Sequence, residues 1–201
     1  MPLLVTPALP GDLLATLAQP HLDTGDGLLL RPWRPEDAGT VRAAFSCPVI
    51  QRWHVRRIDG DAEARDWIAG WAARWRNGTD ASWAVVDERD RPLGQVGLRM
   101  ISLFEASAEL SYWVLPAARG AGVAARSVGA LTAWCFGSLG LHRLGLLHST
   151  ANAASCRVAE RSGYALEGTL RSALRHADGW HDVHLHARLR ADGDIPAASA
   201  G

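Results

Sequence analysis

Lysine is absent: every one of the 21 basic residues is an arginine. A Walker A loop is excluded with it, because that loop needs a lysine to reach the outer phosphates of a nucleotide. Cysteine is scarce. Cys47, Cys135 and Cys156 are odd in number and form no C-x-x-C pair, which argues against a disulfide framework and for reduced thiols in a cytoplasmic protein. No run of about 18 uninterrupted apolar residues offers a membrane span, and the opening MPLLVTPALPGDLLATLAQP lacks the basic n-region of a signal peptide. Net charge is missing too: 21 Lys+Arg against 21 Asp+Glu leave no overall field to draw the chain to nucleic acid or to an acidic membrane.

What is present is a chain of 201 residues, 48% hydrophobic, long enough for one domain with a real core. Its nine tryptophans read as core and rim aromatics rather than as a stacking platform. Composition divides the chain into an N-terminal extension over 1–26, a folded domain over 27–191 and a disordered tail over 192–201.

Within the domain, LLLRPW (28–33) predicts a strand. RPEDAGTVRAAFS predicts a helix with Pro35 early and two acids in its first turn, where the helix dipole favours them. Trp67, Ile68, Trp71 and Trp75 recur at helical spacing in a second helix over 62–76. The period then falls to two, and 82–87, 93–102 and 106–115 read as an antiparallel meander ending at Pro116. A helix over 120–138, a strand over 142–150, a helix over 152–163 closed by Gly163, and two strands about an Asp178-Gly179 turn complete the order. The layout is α+β with about seven strands. Its helical crossover from the fourth strand to the fifth makes those two parallel neighbours.

The stretch LPAARGAGVAA (115–125) spends many positions on very small side chains. At a helix N-terminus, unpaired N–H groups and a partial positive charge make such a backbone an anion site, with Arg119 adding a cation and a diphosphate as the natural guest. The competing reading is a tight turn that merely needs small residues. A dinucleotide fingerprint does not fit, because the preceding unit is an antiparallel meander and no acidic residue ends the next strand.

Four ordered pieces, LRPWRPEDA, AELSYWVLPAARGAGVAA, NAASCRVAERSGYALEGTLR and DGWHDVHLHARL, resemble the GCN5-related N-acetyltransferase (GNAT) superfamily, in its ribosomal-protein alanine N-terminal acetyltransferase branch. The resemblance covers about 28–190. It implies a central mixed, mostly antiparallel sheet with helices on both faces and a V-shaped splay between strands four and five. It also implies acetyl-CoA, or another acyl-CoA such as succinyl-CoA, as co-substrate, held by Trp113, Val114 and Leu115 on the fourth strand and by the loop Arg119, Gly120, Ala121, Gly122, Val123 and Ala124. Positions 123–126 depart from the branch, which commonly carries an aromatic, a Thr and a Glu there. Asn152 and Ser155 match the residues that contact the pantetheine arm and protonate the leaving thiolate, although Asn152 also suits a plain helix N-cap.

Acyl transfer to an amine requires a neutral amine, support for an oxyanion and a proton for the thiolate. Strand alternation puts Glu109, Ser111 and Trp113 on one face, which makes Glu109 the first choice for a general base acting through water and Glu167 the runner-up. The alternative for Glu109 is a solvated sheet-face carboxylate. Trp53, Trp67, Trp71, Trp75, Arg56 and Arg57 are candidates for the acceptor wall or for ordinary core and surface. Cys156 reads as packing, since no base lies beside it in sequence. Of His181, His184 and His186, only the last two share a face with Asp182, and no further ligand set appears at recognised spacing, so no metal is expected. The expected function is N-acyl transfer from acyl-CoA to a primary amine of a protein N-terminus or small molecule, by a possible homodimer. A non-catalytic acyl-CoA sensor is the rival.

Overall fold

The computed structural model describes residues 4–25 and 27–193. Segments with a two-residue period form one eight-stranded sheet in the order β1-β2-β3-β4-β5-β6-β8-β7. The strands are β1 (Leu22–Asp23), β2 (Leu29–Pro32), β3 (Ala81–Val86), β4 (Pro92–Ser102), β5 (Ser107–Val114), β6 (Arg143–Ser149), β7 (Ala165–His176) and β8 (Gly179–Leu189). The expected seven are all there, and β1 is the addition. Every neighbouring pair is antiparallel except β5 and β6, which the helical crossover makes parallel.

Helices cover both faces of the sheet. On one side α5 (Val123–Trp134), continued as a π-helical turn over Cys135–Leu139, and α6 (Ala153–Arg161) close a core with Trp83, Leu98, Leu110, Leu144 and Leu146. On the other, α2 (Ala38–Phe45), α3 (Pro48–His54) and α4 (Asp61–Arg76) close a second core with Trp33, Val86 and Trp113. The alternation in β5 places Leu110 in the first core and Trp113 in the second.

The LRPWRPEDA motif has a structural reason. Arg31, 2% exposed, gives a two-pronged bond to Asp37 at 2.7 and 3.0 Å, and Asp37 also accepts the Arg34 N–H at 2.9 Å. A buried arginine is tolerable only with such a partner. One of the two first-turn acids is therefore a counter-ion inside the fold, not a dipole partner at its surface.

The segment expected as an N-terminal extension packs on the domain over its described part. A short helix, α1 (Leu13–Thr16), buries Leu14, and two tryptophans hold the chain beyond it: Trp75 Nε1 donates to Leu17 O and Trp83 Nε1 to Pro20 O, both at 2.8 Å. Of the expected tail, residues 194–201 lie outside the described residues. The β7–β8 turn is Ala177-Asp178, one position before the Asp-Gly pair, because His176 already pairs with Gly179.

Candidate active site

Pairing between β5 and β6 runs from Ser107–Arg143 to Leu110–Leu146 and stops, although β5 continues to Val114 and β6 to Ser149. The two strands part there, and a cleft of about 440 Å³ opens between them, walled by α3, the 118–125 loop and α6. Leu115 N–H donates to Leu93 O on the β4 side at 2.9 Å. The two-residue alternation then turns Trp113 the same way and directs the N–H groups of Tyr112 and Val114 into the opening. This corrects the expectation for Trp113 and Leu115, whose N–H groups face β4 and are not free. Trp113 lines the cleft, and its ring packs in the second core.

Pro116 starts a single 3-10 turn, Pro116–Ala118, after which the loop folds through two left-handed glycines, Gly120 at φ 83° and Gly122 at φ 72°. A Cβ on Gly120 would meet nothing within 4 Å, and one on Gly122 only the Arg126 side chain at 3.9 Å. The glycines are needed for the backbone turn, and the space beside them is open. Gly122 caps α5, so the first N–H groups of a 12-residue helix face the cleft edge. Arg119 Nε donates across the loop to Val114 O at 3.1 Å, and Arg126 Nη2 to Ala121 O at 3.0 Å. Arg157 and Arg161, four residues apart on α6, line the same cleft. Three arginines and a helix N-terminus form a cationic rim suited to a diphosphate.

Deeper in, Tyr112 Oη and Ser155 Oγ are hydrogen-bonded at 2.7 Å, and Asn152 Oδ1 caps α6 by accepting the Ser155 N–H at 3.2 Å. Burial pushes the Tyr112 phenol up to about 12, so it keeps its proton at neutral pH. His54 Nε2 lies 3.1 Å from Tyr112 O, and a carbonyl can only accept, so Nε2 carries the hydrogen. Burial lowers His54 to about 4, which leaves the ring neutral.

On the opposite face of β5 the pattern differs. Glu109, half-buried beside Gly145, lies just before the strands part and outside the cleft wall, and burial raises its pKa. Arg99 is its partner across β4, yet the guanidinium sits 4.4 Å over the Trp71 ring, lowered to about 10 by burial. Trp71 Nε1, Arg99 Nη1, Ser111 Oγ and Trp113 Nε1 are buried without a hydrogen-bond partner among the described residues. Glu167, the runner-up base, is bound by Arg143, which holds its carboxyl below the usual range and makes it a poor base.

A family model described as an acetyltransferase (GNAT) domain matches residues 27–165. This chain belongs to the GNAT acetyltransferase family. It is 26% identical over 174 residues to YoaA of Bacillus subtilis, an uncharacterized N-acetyltransferase, covering 85% of this chain and 97% of YoaA. It is 29% identical over 109 residues to the ribosomal-protein-serine acetyltransferase of Escherichia coli, covering 54% of this chain and 61% of that protein. Among solved structures, RimL, a ribosomal L7/L12 α-N-protein acetyltransferase in complex with coenzyme A, superposes with TM-score 0.78 at 19% identity over 85% of this chain and 98% of RimL. Mycobacterium smegmatis RimJ in complex with CoA-disulfide superposes with TM-score 0.78 at 22% identity over 89% and 90%. These likenesses establish the shared fold.

Membership makes the chain an N-acetyltransferase, with acetyl-CoA as donor and an amine as acceptor. Of the residues expected to hold the cofactor in this GNAT protein, the fold gathers Trp113, Val114, Arg119, Gly120, Gly122, Val123, Ala124, Asn152 and Ser155 around the cleft, and leaves Leu115 and Ala121 outside its wall. Asn152 is indeed an N-cap and still lines the cleft. Tyr112, His54, Arg157 and Arg161 escaped sequence reasoning; only the four-residue spacing of the two arginines could have flagged a shared helix face. The tryptophan group divides: Trp53 lines the cleft, Trp67 and Trp71 pack in the second core, and Trp75 belongs to the first. Arg57 pairs with Asp59 on the surface. No helix among the described residues is long and apolar enough to cross a membrane.

Proposed function

We propose that this N-acetyltransferase acts in the cytoplasm on the N-terminal α-amine of a protein, by direct attack of the amine on acetyl-CoA in a ternary complex. The observation that carries the reading is the two-sided site. On its cofactor side the side chains are already hydrogen-bonded, while its acceptor side holds buried donors without partners among the described residues, which the backbone carbonyls of an entering peptide would satisfy. The ribosomal-protein substrates in the names of several relatives support the same class of acceptor.

In the reaction the amine lone pair attacks the thioester carbonyl carbon. The N–H groups of Tyr112 and Val114, turned into the opening, support the oxyanion. Glu109 takes the amine proton through water, its raised pKa making it a stronger base. The C–S bond then breaks, and the thiolate takes a proton from Ser155, which Tyr112 re-supplies across their hydrogen bond; Glu109 releases the amine's proton to solvent and Tyr112 regains one from solvent, which restores both groups. An amide and free CoA thiol leave.

The test is release of CoA thiol from acetyl-CoA with peptides carrying a free α-amine, set beside N-blocked peptides with an internal lysine, small amines, and succinyl-CoA as alternative donor. Turnover confined to free α-amines is expected. Turnover of lysine or small amines alone would refute the acceptor assignment. Glu109→Gln should cut kcat by about 10²-fold with CoA affinity intact; unchanged kcat removes Glu109 from the mechanism.

A further inference from the structure

Away from the transfer chemistry, the sheet brings together four side chains that nothing above has used. His148 on β6 is the cross-strand partner of His184 on β8, and His186 lies two residues further along the same face. Cys156 comes down onto this face from α6. One ligand atom from each of the four lies within 4.8 Å of all the others. The rings are packed accordingly: centroids are 5.4 Å apart for His148–His184, 5.1 Å for His148–His186 and 5.9 Å for His184–His186.

The hydrogen bonding makes this more than a crowd of imidazoles. His148 Nδ1 lies 2.8 Å from Ser149 O and His186 Nδ1 lies 3.1 Å from Tyr164 O; since carbonyls only accept, both Nδ1 atoms carry hydrogen and both Nε2 atoms present lone pairs. Those Nε2 atoms, on residues only 4% and 2% exposed, have no partner among the described residues, and neither does His184 Nδ1. The Nε2 lone pairs of His148 and His186 are thus buried and unsatisfied, with the unpartnered His184 Nδ1 close by, and a cation among them would satisfy all three. A backbone carbonyl on the far ring nitrogen is also the usual device that fixes the tautomer of a metal-binding histidine. The fourth corner is a thiol that donates to Glu160 Oε1 at 3.5 Å.

We propose that His148, His184, His186 and Cys156 bind a divalent transition metal, zinc by the chemistry of the donors, as a closed four-ligand site tying α6 to β6 and β8. Three nitrogens and one sulfur suit zinc, and four protein ligands leave no open position, so the role is structural. Tetrahedral zinc with bonds of about 2.0–2.3 Å separates its ligand atoms by about 3.3–3.8 Å, so the cluster contracts slightly on loading. Cys156 enters as thiolate and its proton passes to solvent. The consequence for the enzyme is positional. Ser155 is the next residue along α6, so the metal anchors the helix that presents Asn152 and Ser155 to the cleft.

The test uses the full chain without a polyhistidine tag and without CoA, whose own thiol would ligate the metal. After chelation and desalting, Co²⁺ is titrated by absorbance and Zn²⁺ by competition. One equivalent of Co²⁺ with intense tetrahedral d–d bands and a thiolate-to-cobalt charge-transfer band is expected. Cys156→Ser should remove the charge-transfer band, and His186→Gln should weaken Zn²⁺ binding by at least about 100-fold, a ligand mattering no less than its outer-shell partner. His181→Gln, whose ring instead bonds Ser149 and Asp178, should change neither. The half-buried Cys156→Ser variant and the wild-type spectrum stand even if His186→Gln fails to fold. Absence of saturable Co²⁺ and Zn²⁺ binding would overturn the proposal, as would binding that survives both the Cys156 and His186 changes.

Discussion

The two faces of β5 carry different kinds of order. Towards α5 and α6, the side chains beside the cleft are spoken for: Tyr112 with Ser155, Ser155 with Asn152, Arg119 with Val114. Towards α4, Trp71, Arg99, Ser111 and Trp113 each keep a buried polar atom without a partner among the described residues. A site whose guest is always the same molecule can be built with its side chains bonded in advance, leaving only backbone N–H groups for the guest. A site that recognises a guest by its polar atoms must leave bonds unmade, and the fold bears that cost until the guest arrives.

The largest effect should come from breaking the finished side. Ala124→Glu sets a carboxylate at the start of α5 beside the diphosphate position, and like charges at a contact cost several kcal/mol. Calorimetry should show CoA affinity down by at least about 100-fold with the far-ultraviolet dichroism unchanged; retained affinity would contradict the loop assignment. Substitution on the unfinished side should do the reverse. Arg99→Met removes a buried donor worth about 1.5–3 kcal/mol to a bound peptide carbonyl, so peptide KM should rise about tenfold or more while CoA affinity and the urea midpoint hold. A fall in the midpoint with no change in KM would make Arg99 a structural residue.

The smallest effect sharpens the boundary between the faces, where His54 bonds Tyr112 O. Its pKa of about 4 lies below the ordinary 6.5, so the unfolded chain binds the extra proton in that window. Stability from neutral His54 is therefore complete above about pH 6.5 and drains away as the pH falls towards 4. About 1 kcal/mol should be lost by about pH 5.5 in urea unfolding. His54→Gln should flatten that part of the profile; an unaltered slope would mean that the ring is not held neutral.

Most of the architecture was legible in the sequence because it is written in local signals. The change of period at residue 82 announced the meander, Gly163 closed α6 in the left-handed conformation, and one helical crossover fixed the parallel pair. The glycine loop was legible for the same reason. The unread parts depend on which strands become neighbours. Tyr112 and Ser155 meet only because β5 and β6 diverge, and His148 meets His184 only because β8 inserts between β6 and β7. Counting ligands along one strand gave His184 and His186 and stopped. The N-terminal segment looked detachable because its fasteners, Trp75 and Trp83, lie far along the chain.

The parting of β5 from β6 has a further consequence. An outer sheet edge invites any extended chain to pair with it. This edge lies inside the sheet, with Tyr112 and Ser155 on one side and the Trp113 ring on the other. A β-strand needs room on both faces for alternating side chains, and here both are roofed. A slender, unbranched chain with amides along its length can still slide in edgewise and use the waiting N–H groups. The slot thus sorts visitors by thickness before any charge is felt, and a carrier arm passes where a polypeptide cannot.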